Sequence, residues 1–140
     1  MKDNSWIEGP LLLEPRRYHS SCAIESDDGS IQSIIIVGGI TFQENLRRHA
    51  PTTEILHLNA PKWVQGPKLP IGILSASCVA LPPTSAFACI VVGGETSRQL
   101  DFDYEKCSSD VYGLNRSLTE WTLLGSIRTG RSSHIALPIS

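Results

Sequence analysis

Tryptophan and paired glycine recur along this chain at nearly constant intervals. Trp6, Trp63 and Trp121 are separated by 57 and 58 residues, and the pairs Gly38–Gly39 and Gly93–Gly94 lie 55 residues apart. Self-similarity at a fixed period is the signature of a repeat architecture, in which each copy is one supersecondary unit that stacks on its neighbours. The spacing therefore predicts consecutive copies of one structural unit.

The segments around these landmarks also align. His19, Ala76 and His134 each stand thirteen residues after a tryptophan, within RRYHSSCAI, GILSASCVAL and GRSSHIAL. Farther along, TEILHLN aligns with SDVYGLN at a spacing of 56, which places Asn59 on Asn115. Several features in one order at similar spacings indicate a true repeat.

Each copy contains four segments that are typical of β-strands. The apolar runs IIIV and CIVV are continuous rather than alternating, as expected for strands covered on both faces. Helical periodicity of useful length is missing from the sequence. The pattern predicts an all-β chain of antiparallel meanders, with strands at His19–Ile24, Ile34–Val37, Glu54–Leu58 and around Trp63, and again at Cys78–Leu81, Ala88–Val92, Asp110–Leu114 and around Trp121.

The motifs PRRYHSS, IIIVGG and CIVVGG, together with DVYGLNRSLTEWTLLGSIRTGRSSH, resemble the kelch-repeat family over nearly the whole chain. The resemblance implies kelch-type β-propeller blades, which are four-stranded antiparallel meanders, in an incomplete ring. The unit is longer than the kelch period of about 50 residues, and the second copy has Leu74 and Ala76 in place of the family's Arg and His. The structural signature falls on Gly38, Gly39, Trp63, Gly93, Gly94 and Trp121. The implied division is 1–17 (fourth strand of a preceding blade and link), 18–74 (blade), 75–131 (blade) and 132–140 (first strand of a following blade).

The paired glycines have a physical interpretation. Glycine reaches positive φ without steric cost and allows close approach of another backbone. We expect each pair to end the second strand of its copy and to leave room for the tryptophan. A phosphate-cradling loop is the alternative, but no GxxxxGK pattern follows either pair.

The number of copies is small for a propeller. A closed ring needs about four blades or more, and two copies would leave their outer apolar faces exposed. We therefore expect the chain to be a fragment of a longer one, with a ring assembled from several chains as the alternative.

The long connections of both copies should lie on one face of the molecule, because an up-and-down meander puts alternate turns at opposite ends. These connections are 40–53, 95–109, 66–74 and 125–131. Long loops on a rigid scaffold are where binding usually resides, and arginine clusters capture carboxylates or phosphates. The sequence predicts a protein or peptide partner, acidic or phosphorylated, with ordinary solvated loop charge as the alternative. The candidate residues are Arg16, Arg17, Arg47, Arg48, His49, Arg98, Asp101, Asp103, Arg128 and Arg131.

The kelch resemblance implies specific roles. Propellers of this family commonly bind proteins, and many are substrate-recognition domains of cullin-type ubiquitin ligases. We expect no catalytic residue and no cofactor. The alternative is a fragment of a propeller oxidoreductase resembling galactose oxidase, whose copper needs convergent histidines and tyrosines. A third hypothesis is a degenerate fragment without independent function. The available copper ligands are His19, His49, His57, His134, Tyr18, Tyr104 and Tyr112.

The net charge and the lack of long apolar segments argue against nucleic acid and membrane as partners. A net charge of −2 gives no broad field that would attract nucleic acid or an anionic membrane. No segment approaches the roughly 20 apolar residues of a membrane span, and no signal peptide is recognisable, so a cytoplasmic location is expected.

The four cysteines lack CxxC spacing, which argues against a metal site. We expect Cys22, Cys78 and Cys89 to be small buried hydrophobes and Cys107 to lie in a polar loop.

Overall fold

The computed structural model describes residues 5–43, 46–96 and 106–139. Within these ranges the regular structure is β-strand without α-helix, and it forms several antiparallel sheets, none of which closes on itself. The all-β fold class predicted from the sequence is therefore confirmed. No helix in the described part of the chain has the length and apolarity to cross a membrane.

Two four-stranded sheets contain most of the strand residues. Each is a meander in which every strand is antiparallel to the next one along the sheet. The first sheet consists of β2 (Ser20–Glu25), β3 (Ile31–Val37), β6 (Thr53–His57) and β7 (Val64–Gln65). The second sheet consists of β8 (Ser77–Ala80), β9 (Phe87–Val92), β12 (Asp110–Asn115) and β13 (Trp121–Ser126).

The long connections after the paired glycines contain strands that the sequence did not predict. In the first copy, β4 (Ile40–Gln43) and β5 (Leu46–His49) form a two-stranded ribbon, here called the first ribbon, and β1 (Arg16–Arg17) pairs with its β4 edge. In the second copy, β10 (Glu95–Thr96) pairs with β11 (Lys106–Cys107) as the second ribbon. Segments expected to be loops are thus partly ordered by backbone hydrogen bonds.

The strand register corrects one alignment made from the sequence. By the pairing of β3 with β6 and of β9 with β12, Thr53 corresponds to Val111, a spacing of 58 rather than 56. Asn115 therefore corresponds to His57 and not to Asn59. The error is two residues, and a slip of two leaves every side chain on the same face of its strand. Hydrophobic alternation could not have detected it.

The core lies between the two sheets, where β2 runs beside β8. Ser20 Oγ donates a hydrogen bond to the Ala76 carbonyl at 2.6 Å across this contact. Apolar side chains from both sheets form one cluster together with the link between them. Its buried members are Ile24, Ile35, Val37, Ile55, Leu69, Ile73, Ala88, Cys89, Val91, Tyr112, Leu114 and Trp121.

The two tryptophans of the large sheets have equivalent surroundings. Trp63 Nε1 donates to the Pro10 carbonyl at 3.0 Å, and Trp121 Nε1 donates to the Pro67 carbonyl at 3.2 Å. Both indole rings are buried. In each copy the tryptophan thus fastens its sheet to the Gly-Pro segment that comes before that sheet in the chain. This contact explains the recurrence of tryptophan in structural terms.

A residue with left-handed backbone precedes the first strand of each copy. Tyr18, Ser75 and Ser133 have φ of 56°, 52° and 52°. The Ser75 N–H donates to the Tyr18 carbonyl at 2.9 Å, and the Ser133 N–H donates to the Ser75 carbonyl at 2.8 Å. Equivalent positions of successive copies are therefore bonded to one another, and the same geometry recurs in the segment after the second sheet.

The paired glycines end β3 and β9, as predicted, and all four have positive φ. A Cβ on Gly38 would lie 2.5 Å from the Ile73 carbonyl oxygen, and the Gly39 N–H donates to that same oxygen at 2.7 Å. In the second copy the Gly94 N–H donates to the Arg131 carbonyl at 2.8 Å. The space left by the first glycine of each pair is occupied by the link after its sheet, and the space left by the second glycine by the link before that sheet. The prediction that the pair makes room for tryptophan is wrong.

Candidate interaction surface

Some predicted site residues fall where the structure gives no side chain. Arg98, Asp101 and Asp103 lie outside the described residues. The backbone of Arg47 pairs with Phe42 in the first ribbon, and its side chain is likewise outside the described part. The remaining candidates lie on β1, the first ribbon and the link that follows β13.

Arg16 is a structural residue of the interior. Its side chain is 0% exposed, and its Nη2 atom lies 2.5 Å from Oε1 of Glu54, whose side chain is 2% exposed. Nη1 donates to the Gly38 carbonyl at 2.7 Å, and Glu54 also accepts the backbone N–H of Leu13 at 2.7 Å. This pair ties the segment before the first sheet to β6. An acidic residue inside the strand TEILHL was the available signal, because a buried carboxylate requires a charged or hydrogen-bonding partner.

Arg17 is the exposed neighbour of Arg16 on β1. Its guanidinium carbon lies 5.4 Å from the centre of the Tyr18 ring and 5.6 Å from the centre of the Phe42 ring. Tyr18 is 58% exposed and Phe42 is 55% exposed. We call these three residues the aromatic–arginine patch. The cation attracts the faces of both rings, so the three side chains hold one another in place on the surface.

The rings of this patch were missed by sequence reasoning, which singled out charged residues alone. Tyr18 directly follows the arginine pair in the sequence. Its left-handed φ breaks the alternation of side chains along a strand, so the side of the sheet on which it lies could not be predicted. Phe42 stands in a segment that was expected to be a loop. Its proximity to Arg17 follows from the pairing of β1 with β4, which no spacing in the sequence reveals.

Arg48 lies on the opposite face of the small sheet. On β4, Ile40 pairs with Arg17 and the next residue, Thr41, pairs with Arg48. Successive residues of a strand point to opposite faces, so the two exposed arginines diverge. His49 ends the first ribbon half-buried beside the link glycine Gly72. The predicted arginine cluster is therefore divided between two faces.

The equivalent end of the second sheet carries Arg128 and Arg131, both exposed. Arg131 holds the fold through its backbone, since its carbonyl accepts the Gly94 N–H at 2.8 Å. Its Nε atom lies 3.4 Å from the Thr129 carbonyl. On the neighbouring ribbon, Glu95 accepts a hydrogen bond from Ser132 Oγ at 2.7 Å. This end therefore mixes cationic and anionic groups and has no counterpart of the aromatic–arginine patch within the described residues.

The histidines that the alternative copper-enzyme hypothesis would use lie on separate parts of the fold. His57 Nδ1 lies 2.9 Å from Ser33 Oγ, in an open cleft of about 630 Å³ at the turn end of the first sheet. His19 and His134 precede the first strands of different copies. Among the described residues, the one grouping of three possible metal-ligating side chains consists of Cys22, Cys78 and Cys89. The cysteines that the sequence predicted to be independent buried hydrophobes are thus brought together.

No family model matches the chain, and no curated protein matches it. The case for its function therefore rests on the repeated sheet geometry and on the surfaces described above.

Proposed function

We propose that the chain forms two neighbouring blades of a kelch-type β-propeller and serves as a protein-interaction module. This proposal is supported by the same backbone and side-chain contacts recurring at each connection between copies. Tyr18, Ser75 and Ser133 share one backbone conformation, and each large sheet places its buried tryptophan on a proline carbonyl of the preceding segment. Four-stranded meanders stacked in this way are the arrangement that the kelch resemblance implies.

The aromatic–arginine patch is the single observation that carries the binding role. Arginine and aromatic residues are enriched at the centres of protein interfaces, where they supply most of the binding energy. Tyr18 and Phe42 expose more than half of their surface, although burial of an aromatic ring is strongly favourable. A partner that covers the two rings gains this burial, and the Arg17 guanidinium offers paired N–H donors at the same place.

The chemistry of the patch favours an acidic peptide with an apolar neighbour. A carboxylate can accept two parallel N–H donors from Arg17, while the adjacent apolar side chain packs on the rings of Tyr18 and Phe42. The patch stands on rigid structure, because β1 is fixed by the buried Arg16–Glu54 pair directly behind it. Such preorganisation limits the conformational entropy lost on binding.

The kelch resemblance gives this proposal a specific form, in which the module recognises substrates for a ubiquitin ligase. Fold alone does not determine function. The partner chemistry is therefore the part of the proposal to be tested first, and the ligase role follows only if a bound substrate is ubiquitinated.

Binding should be measured with the full chain and a set of labelled peptides that carry an Asp or Glu beside a Leu or Phe. Fluorescence anisotropy gives the dissociation constants, and peptides of the same composition with Asn or Gln replacing the acid are the reference. We expect acidic peptides to bind, and Arg17→Ala and Phe42→Ser each to weaken them about tenfold or more.

Arg48→Ala is the matched control, because it removes the same charge from the other face of the small sheet formed by β1 and the first ribbon. Its binding should stay within about twofold of wild type, as for exposed charges at an interface rim. Equal losses in Arg17→Ala and Arg48→Ala would indicate general charge attraction and would remove the patch as the binding site.

A further inference from the structure

Three of the four cysteines converge at the contact between the two large sheets. Cys22 lies on β2, Cys78 on β8 and Cys89 on β9. Their sulfur atoms all lie within 4.8 Å of one another, and Cys78 Sγ is 3.1 Å from Cys22 Sγ. We call this group the thiol cluster. Cys89 is fully buried, while Cys22 and Cys78 are partly buried.

The sheet registers produce this convergence. Cys89 pairs with Ala80 across β9 and β8, and Ala80 lies two residues from Cys78 on β8. Residues directly opposite one another, and residues two apart on a strand, share a face. Cys78 and Cys89 therefore project from the same face of the second sheet, and Cys22 approaches that face from the neighbouring strand β2.

The thiol cluster is a property of this junction rather than of the repeat. By the strand pairings, Cys22 corresponds to Val79 and Cys89 corresponds to Ile34. An apolar side chain thus satisfies the architecture at either position. Three thiols meeting at one junction is an added chemical feature that blade packing does not require.

The ionisation of the three thiols is unequal. Hydrogen bonds from Cys78 and Cys89 lower the pKa of Cys22 to about 5, with burial opposing them. The bond to Cys22 is the main cause that raises the pKa of Cys78 well above its usual value, and burial adds to it. The pKa of Cys89 is raised mainly by its bond to Cys22 and also by burial, while the bond with Cys78 and the charge of Arg116 oppose the rise. The three sulfur atoms are therefore close enough to interact directly with one another.

We propose that the thiol cluster is a binding site for a thiophilic closed-shell metal ion, Cu(I) or Zn(II), held by the sulfur atoms of Cys22, Cys78 and Cys89. Thiolates are the ligands that select these ions. Metal–sulfur bonds of about 2.3 Å place neighbouring sulfur atoms about 4 Å apart. This distance lies between the 3.1 Å that separates the Cys22 and Cys78 sulfur atoms and the 4.8 Å within which all three sulfur atoms fall. Sub-ångström movements therefore convert the cluster into a coordination shell.

Binding requires three thiolates and changes no oxidation state. The metal forms three metal–sulfur bonds, and each of the three cysteines that carries a proton releases it to solvent. The two ions differ in what they need beyond these sulfurs: Cu(I) accepts three ligands, whereas Zn(II) takes a fourth, which is water in sites that keep an open position. Either ion would fasten β2 of the first sheet to β8 and β9 of the second.

The full chain should be titrated in a phosphine reductant with Zn(II) and, anaerobically, with Cu(I), each against a chromophoric chelator of known affinity. We expect one ion per chain. Cys22→Ser should lower the affinity by more than about 100-fold, since even the loss of an outer-shell partner costs 10–100-fold. The control is Cys107→Ser, which removes the exposed cysteine of the second ribbon and should leave affinity unchanged.

Alkylation of the wild-type chain provides a second readout that does not depend on a variant folding. A bound metal should protect the partly exposed Cys22 and Cys78 from a maleimide while Cys107 still reacts, as read by peptide mass. Absence of stoichiometric binding, binding that survives Cys22→Ser, or equal alkylation with and without metal would each overturn the proposal. Formation of a Cys22–Cys78 disulfide with oxidised glutathione, without metal binding to the reduced chain, would overturn it as well.

Discussion

The two large sheets solve the same packing problem with different chemistry. In the first, the buried contact between the link and the third strand is the Arg16–Glu54 ion pair. By strand register, the corresponding residues of the second are Ile73 and Tyr112, both buried, with the Tyr112 hydroxyl donating to Asp110 at 3.2 Å. One backbone frame thus accepts a charged pair or an apolar one. The fold does not require the charged pair at this position. In the first sheet the pair holds the segment beneath the aromatic–arginine patch in place.

Breaking the ion pair should give the largest effect. Glu54→Ala leaves the buried Arg16 guanidinium with only the more distant Glu14 carboxylate, 3.4 Å away, as a counter-charge and should lower the free energy of unfolding by about 3 kcal/mol. The double variant Arg16→Ile with Glu54→Tyr, which copies the second sheet, should lie within about 1 kcal/mol of wild type, because replacement of a buried ion pair by apolar groups is often neutral. Urea denaturation measures both. A double variant as unstable as Glu54→Ala would mean that the two sheets are not interchangeable at this contact.

The glycine joints should behave alike in both copies. Gly38→Ala and Gly93→Ala each place a methyl group against a link carbonyl at positive φ. Strain and overpacking together should lower the free energy of unfolding by about 2–4 kcal/mol in either variant. The control is Gly29→Ala in the β2–β3 turn, which has positive φ but nothing within 4 Å of the added Cβ, so its cost should be about 1 kcal/mol. Unequal losses at Gly38 and Gly93 would show that the joints are not equivalent.

Removing the indole donors tests a smaller difference between the copies. Trp63→Phe and Trp121→Phe keep an aromatic ring but lose the N–H bond to a proline carbonyl, at a cost of about 1 kcal/mol in addition to the lost ring volume. Trp121 Nε1 also lies 3.1 Å from Thr53 Oγ1, so its replacement should cost slightly more. Chemical denaturation of the two variants side by side would reveal the order, and the reverse order would contradict the assigned bonds.

The smallest expected effect is a pH dependence confined to the first copy. Burial and the Arg16 charge lower the pKa of His19 below the ordinary histidine value of 6.5, whereas the second copy has Ala76 at this position. The unfolded chain therefore binds a proton more readily than the folded one. Stability should fall as the pH drops through 6.5 toward the folded pKa, and His19→Ala should weaken that slope. An unchanged slope in the variant, followed by denaturant midpoints at several pH values, would assign the effect to other groups.

The strands of both meanders could be predicted because their apolar runs are local and their boundaries carry turn residues. The ribbons could not be predicted, because their strands are short and the first ribbon also pairs with β1, a segment distant in the sequence. The Arg16–Glu54 pair joins residues 38 apart in sequence, so only its unusual buried glutamate was visible in advance. Arg17 and Arg48 were grouped because the entry to the first strand and the long connection were expected on one face of the molecule, and strand alternation separates the two side chains.

The thiol cluster shows the same boundary of sequence reasoning. Its members are distant in the chain, and no short spacing links Cys22 to Cys78 as a ligand pair. Two registers and one contact between sheets decide their proximity, and none of these can be read from hydrophobic alternation. The two-residue alignment error at Asn115 has a related cause, because a slip by an even number preserves every inside and outside position.

The left-handed residues Tyr18, Ser75 and Ser133 have a consequence for how such a chain can change length. Each is bonded to the next by the same backbone hydrogen bond. The backbone therefore has the same conformation at each of these three connections. Removing Tyr18–Leu74 would join Arg17 to Ser75 and leave the succeeding joint with its own partner. The backbone connection is therefore preserved when a copy is lost, but the apolar core packed between the two sheets is not, so the remaining copy would need a new neighbour to cover its exposed face.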